Sequence, residues 1–361
     1  MHKKHQFIAL AAGGMALCLL AGCTSSTSQT TQSKDALFSC ELLAAQQDDL
    51  WGYIDKDGNF VIQPQFDYAF PFSSNGVARV LFGDDIGYID TEGHYVIPAQ
   101  YQDAYDFADN GLALIKTNDL YGYIGTDGNY AINPQFEDAF NFGHGSYAAV
   151  SIGGKWGFVD GEGHYLVNPQ FEAAGAFAAN GLAPVETNGV WGYIGTDGKL
   201  AINPRFEYAL PFDHTGLARV MADGEFGYID KTGSYVVSPQ FSTATEFTAD
   251  GYATVSVNDR YGIIDTSGNY VINPQFDRLG TMQNDRAYYV ANDKVGYINL
   301  KGQRVIVEQF DSISPLLSLG GNFGSDNYAI VCFGDKYGVI GNDGKYQINP
   351  QFEGLGGYTA N

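Results

Sequence analysis

Residues 51–66 read Trp51-Gly52-Tyr53-Ile54-Asp55-Lys56-Asp57-Gly58-Asn59-Phe60-Val61-Ile62-Gln63-Pro64-Gln65-Phe66. Trp51 to Ile54 has the aromatic and aliphatic content of a strand. Gly52 removes a side chain where a neighbouring backbone or ring comes close. Asp55-Lys56-Asp57-Gly58 is a turn, with Asp first and Gly fourth. Phe60 to Ile62 is the return strand, and Pro64, without an N–H, is expected to end its ladder. Phe66, Ala69 and Phe72 then lie three apart, a spacing that predicts a turn of 3₁₀ or α-helix with its apolar side down. A third strand follows in Gly76-Val77-Ala78-Arg79-Val80.

The stretch recurs along the chain. Its first Gly returns at Gly87, Gly122, Gly157, Gly192, Gly227, Gly262, Gly296 and Gly338, in steps of 35 until a 34 and a 42 at the end. A second Gly lies six residues after each. Nine copies in one register exclude two or three unrelated domains and predict an all-β tandem array of about nine 35-residue, three-stranded antiparallel units over 37–361. Leu42-Leu43-Ala44-Ala45 supplies the first, imperfect third strand. A single unit cannot bury its own faces, so stability comes from stacking on neighbours.

Trp156-Gly157-Phe158-Val159-Asp160, Gly163, Pro169-Gln170-Phe171-Glu172 and Gly181-Leu182-Ala183 resemble the WG (KWG) repeat of bacterial proteins. The resemblance covers some 320 residues. It implies a β-rich repeat, frequent on secreted or surface proteins, with no general catalytic activity. Lys before Trp-Gly survives as Lys155, and Trp in three copies only, so the Trp slot reads as a packing position.

Such units stack as an open superhelix or close as propeller blades. Nine exceeds the usual four to eight blades, so an open, solenoid-like array is expected, with a closed β-propeller as the alternative. Cys40 and Cys332 lie in the first and last units. A disulfide between them needs Cα atoms within about 7 Å, which only a ring supplies. The two are read as isolated thiols, with a bridge as the alternative.

The N-terminus reads as an address. His2-Lys3-Lys4-His5 precedes an uncharged apolar run from Phe7 to Leu20, too short for a comfortable membrane span. It ends in Leu20-Ala21-Gly22-Cys23, which resembles the lipobox of bacterial lipoproteins. That implies a signal peptide at 1–22, acylation (palmitate) of Cys23, and a Ser/Thr/Gln tether over 23–36. The tether's twelve residues from Thr24 to Asp35 span about 19 Å as a flexible coil. The expected location is extracytoplasmic, with membrane contact through the lipid alone.

Charge and composition narrow the function. The formal charge is −22, from 19 basic and 41 acidic residues, and losing Lys3 and Lys4 with the signal takes it to −24. Such a balance excludes a nucleic-acid partner, because phosphate backbones are held by clustered Lys and Arg. With 45% hydrophobic residues the chain is too apolar for disorder. No GxSxG, HExxH, paired CxxC or phosphate loop occurs. His94 and His164 share a slot after the turn Gly and read as solvated; His144 and His214 fall in crossover loops without ligand spacing. Asp55-Lys56-Asp57-Gly58-Asn59 lacks the Gly at six and the Glu at twelve of a Ca²⁺ loop. No metal and no cofactor is expected.

Two ladders follow the repeat. Gln65, Gln100, Gln135, Gln170, Gln240, Gln275, Gln309 and Gln351 precede the aromatic, with Arg205 as the exception. Asp67, Glu137, Glu172, Glu207, Asp277, Asp311 and Glu353 follow it. The Gln amides are expected to tie one unit to the next, and the acids to favour the start of a helical turn. The acids also form a candidate binding stripe for a basic or hydroxyl-rich partner. A longer loop at 311–327 adds seven residues to the spacing and serves either function or capping. The expected function is a non-catalytic, lipid-anchored scaffold that recognises an envelope protein or peptide. Cell-wall glycan binding is the alternative, and a hydrolase with paired carboxylates a second one. Replacing Cys23 by Ser is expected to move the protein from the detergent-extracted membrane fraction to the soluble one, read by fractionation and immunoblot.

Overall fold

The computed structural model describes residues 36–143, 146–311, 321–356 and 358–359. The signal peptide, Cys23, the tether to Asp35, His144 and the loop from 312 to 320 lie outside the described residues. The described residues form strands and turns with no helix.

The first unit contains β1 (Leu43–Gln47), β2 (Leu50–Ile54) and β3 (Phe60–Phe66), and the chain continues into β4 (Tyr68–Ala69). The second contains β5 (Ala78–Phe82), β6 (Asp85–Ile89) and β7 (Tyr95–Tyr101). The sheet order β4-β5-β6-β7 shows the plan: the two residues that leave one unit become the first strand of the next. The expected helical turn at Phe66/Ala69/Phe72 is therefore extended chain. Asp67 N and Phe70 N donate to Leu81 O and Arg79 O, so the three-residue spacing reflects a kinked strand. All three side chains are nonetheless buried together.

Pro64 does not end its strand either. β3 pairs with β2 through successive register shifts: Trp51 with Phe66, Tyr53 with Ile62, Ile54 with Phe60. A Cβ on Gly52 would lie 2.3 Å from Ile62 O and 2.8 Å from Pro64 N. The glycine lets β3 bulge across β2, and Pro64 sits in that bulge, where a missing N–H costs no ladder bond.

The open array is overturned. The strand Gly354–Leu355 pairs with β1, setting Ala45 opposite Leu355 and Gln46 opposite Gly354. Glu353 N donates to Gln46 O and Gly356 N to Ala44 O, the pattern that joins β4 to β5. Phe38, Ala45 and Ile54 share a core with Ile330, Val339, Ile348 and Phe352. The chain is a closed β-propeller. Nine cores, each shared by two consecutive units, run round the ring and return to the start. Among the described residues, hydrogen bonds gather the strands into eight sheets, because one six-stranded sheet joins the last two units through the pair Asp311–Cys332. Closure wins over an open stack because it buries both terminal faces, at roughly 25 cal/mol per Å².

Ring closure does not bring a disulfide with it. Cys40 and Cys332 are not bonded to one another; Cys40 Sγ donates to Ser73 O at 3.5 Å. Cys40 packs against the core of units one and two, and Cys332 belongs to the seam core.

Buried tyrosines brace the units. Tyr53, Tyr88, Tyr123, Tyr193 and Tyr228 each donate to the carbonyl seventeen residues on, at 2.6–2.8 Å. Tyr297 fills the same slot with no partner for its hydroxyl among the described residues. Tyr193→Phe is expected to cost about 1–2 kcal/mol by orphaning Leu210 O, and Tyr297→Phe nothing, in urea unfolding. Leu355 is fully buried at the seam; Leu355→Ala is expected to cost about 3 kcal/mol in the same assay.

Candidate functional site

Each third strand joins its Trp-Gly strand by a two-residue hairpin, in eight of the nine with positive φ at both centres, such as Asp48-Asp49 (52°, 64°) and Asn118-Asp119 (48°, 62°), and in Gly83-Asp84 at Gly83 alone. These are the turns that suit the twist of antiparallel strands, and Asn, Asp and Gly tolerate them. Asp48, Asp49, Asp84, Asp85, Asp259 and Asp293 are exposed there, so the hairpin end of the ring is rimmed with carboxylates.

The predicted acidic stripe lies at this end and holds the hairpins. Asp67, Glu137, Glu172 and Glu207 accept the turn N–H of Gly83, Gly154, Gly189 and Gly224 at 2.7–3.1 Å. Asp311 accepts from Gly334 N and pairs with Lys294. Glu353 accepts from Asp49 N across the seam and pairs with Lys336. Asp277 pairs with Arg260. In the second unit Gln102 stands in the slot and its Oε1 accepts from Asp119 N. The carboxylates thus cap a turn, not a helix, with one oxygen engaged in each cap.

The Gln ladder also acts differently from expectation. Gln65, Gln135 and Gln240 donate to the carbonyl two residues back in their own strand. Arg205, the exception, does reach the next unit, at Gly233 O.

At the opposite ends of the Trp-Gly strands, Asp55 Oδ1 accepts from Asp57 N and Asn59 N, both at 2.9 Å. Where Gly replaces that Asp, as at Gly125, Gly195 and Gly341, the acid two residues on accepts instead: Asp127, Asp197 and Asp343 take the N–H of Asn129, Lys199 and Lys345. No group of His, Cys, Asp and Glu suited to a metal occurs among the described residues. His94 and His164 are exposed beside Asp90 and Asp160, and His214 is exposed in its loop.

Two features escaped the sequence reading. Arg79 donates to Asp106 Oδ1 at 2.7 Å and to Ala104 O at 2.8 Å in the next unit. Arg219 repeats this four units later: it donates to Ala244 O and faces Glu246. Burial pushes Glu246 up, and Arg219 opposes that. The shared slot, 140 residues apart, was the available signal. The second is a row of half-exposed rings that opens the outer strands: Tyr95, Tyr130, Tyr165, Tyr235, Tyr270 and Tyr346, at 39–49% exposure. Tyr95, Tyr235 and Tyr270 pack edge-on against the preceding unit's Phe66, Phe206 and Phe241.

The family model for the WG containing repeat matches seven times, at 51–84, 86–121, 121–156, 156–191, 191–225, 226–261 and 261–294. The chain belongs to the WG-repeat family. No curated protein matches this WG-repeat chain in sequence. Among solved structures it is similar to one described as the crystal structure of the eukaryotic initiation factor, with a TM-score of 0.62 at 12% identity, over 91% of this chain and 97% of that one. Apo AztD from Citrobacter koseri gives 0.42 at 12% identity, over 73% and 92%. The dihydro-heme d1 dehydrogenase NirN gives 0.44 at 10%, over 79% and 75%. At 12% identity the first of these likenesses is one of fold alone, and the WG-repeat propeller as a fold suits binding and scaffolding.

The turn acids set a pH dependence. Backbone N–H groups of Asn59 and Asn129 hold Asp55 and Asp127 below the usual carboxylate range, and the Lys345 ammonium does so for Asp343. A lowered folded value adds stability that is complete above the unfolded value near 4 and disappears as pH falls through the folded one. Relief of repulsion in so acidic a chain acts oppositely and is screened by salt. In 0.5 M salt (roughly a 4 Å Debye length) the melting temperature is expected to hold from about pH 7 to 5 and to fall below about pH 4.

Proposed function

We propose that this WG-repeat propeller is a non-catalytic binding scaffold, tethered outside the cytoplasmic membrane through an acylated Cys23. Its partner is a basic segment of an envelope protein or peptide, taken at the hairpin end of the ring. The observation that supports this is the carboxylate rim. Hairpin turns and their caps collect acids at one end of every unit, and Arg260, Lys294 and Lys336 beside them each pair with one of those acids, at Asp277, Asp311 and Glu353. Asp67, Glu137, Glu172 and Glu207 cap through one oxygen and keep the second for another donor, and a ring of like charges attracts a multiply basic ligand more strongly than one site does. The partly buried Arg79 and Arg219 are committed within the fold and do not neutralise the rim.

The tyrosine row favours a second reading, cell-wall glycan binding, because flat rings beside Asn129, His94 and Asn269 offer stacking with hydroxyl partners. The edge-on packing against Phe leaves only part of each ring available, so the rim is the stronger candidate.

Full-length protein in detergent is to be titrated with a fluorescent oligolysine peptide at 50 and 300 mM salt. Binding is expected at low salt, weakened about tenfold or more at high salt, and weakened at 50 mM by Asp48→Asn/Asp49→Asn/Asp84→Asn. Salt-insensitive binding or none rejects the rim, and retention on purified cell wall released by free sugar establishes the glycan reading.

A further inference from the structure

The outer strand of each unit ends its sheet, except that the eighth is joined to the ninth unit by the single pair Asp311–Cys332, so the rest of its length is also an edge; unpaired edges invite another strand. Eight of the nine carry a proline: Pro64, Pro134, Pro169, Pro204, Pro239, Pro274 and Pro350 turn their nitrogen to the inner strand, and Pro98 alone stands at an outward-facing position. In three of them the Gln amide occupies an outward carbonyl, that of Gln63, Asn133 or Ser238. The exception is the eighth unit's outer strand, Arg304–Asp311, which reads Arg-Val-Ile-Val-Glu-Gln-Phe-Asp.

Three slots of the repeat change there together. Arg304 stands where other units have an aromatic or Leu, Glu308 where seven of them have Pro, and Val307 where they have Gln, Pro, Asn or Ser. Glu308 has an internal explanation. Tyr289, which replaces the usual aliphatic residue, donates its hydroxyl to Glu308, and Arg304 lies over the Tyr289 ring and 3.3 Å from Glu308. Val307 has none. It is 64% exposed and touches the edge beside Val305, at 40%.

The backbone there points outward. A Cβ on Gly296 would meet Ile306 O and Glu308 N, so these face the inner strand. By alternation the N–H and C=O of Val305 and Val307 face away from the sheet. The strand's pairing on that side begins only at Asp311.

We propose that this edge is a self-association surface, where a second copy adds its own Arg304–Glu308 segment antiparallel about a twofold axis at Ile306. The segment is complementary to itself in that register. Val305 faces Val307 of the second copy as a hydrogen-bonded pair, and Arg304 faces Glu308 as a closely spaced, oppositely charged one. A twofold contact repeats each favourable pair, and a closed dimer leaves no open edge to propagate. The strong negative charge of the chain opposes association at low salt, so the contact strengthens towards 150 mM, where the Debye length is about 8 Å.

Sedimentation equilibrium of the full chain in detergent at 150 mM salt is expected to show a concentration-dependent dimer. Val307→Pro should weaken it about tenfold or more with unchanged circular dichroism, since Pro98 occupies the same position in the second unit. Val307→Asn, the residue of five other units, guards against a folding defect and should also weaken it. A mixture of Val305→Cys and Val307→Cys chains should cross-link faster than either alone. A monomer at every concentration, a dimer indifferent to both Val307 variants, or no preferential cross-linking overturns the proposal.

Discussion

Every unit of this protein completes its hydrophobic core with side chains from the next. The core of units two and three, for instance, takes Leu81, Tyr88 and Ile97 from one and Ala104, Ile115 and Ile124 from the other. A unit alone would leave one such face in water, and an open stack would leave two at its ends. The ring leaves none, and it does so with the same hydrogen-bond pattern at the seam as between neighbours within the chain. The buried tyrosines, the bulge across Gly52 and the hairpin caps all serve to present those faces at a constant offset.

The caps explain why so much of the chain is acidic. Glu172 satisfies the Gly189 N–H at 2.9 Å, and comparable acids recur because the same tight turn recurs. Substitutions elsewhere in the repeat are coupled in a similar way. When the first turn Asp becomes Gly, the following Asp takes over its acceptor role. When Pro becomes Glu308, Tyr289 supplies the hydroxyl that the new side chain needs. The ring tolerates variation where a neighbouring residue restores the lost bond, and this accounts for the spread of residue types over a constant backbone.

Local chemistry in the sequence made the repeat, its hairpins and the Gly slot readable, because each rests on residues within one unit. Asp55 and Gly58 name their turn, and Trp51-Gly52-Tyr53 its strand. Closure was not readable, since it depends on Ala45 meeting Leu355 and on the rotation accumulated over nine units, which no single unit encodes. The three-residue spacing of Phe66, Ala69 and Phe72 misled for a related reason: a kinked strand and a helical turn bury the same spacing, and only the partner strand at Arg79–Leu81 distinguishes them. The capping acids were visible as a ladder. Their role was hidden because their partners are backbone N–H groups of the following unit, to which any sequence contributes.

The seam gives the order of synthesis a physical meaning. The strand at Gly354–Leu355 is among the last parts of the described chain to emerge, yet it completes the sheet begun by Leu43–Gln47. A nascent chain therefore keeps this sheet unfinished until the residues that follow Phe352 have been made. Truncation at any earlier point leaves Ala45 and Gln46 as a bare edge beside an uncovered core. A fragment cut short of the seam thus exposes an apolar surface that the closed ring hides.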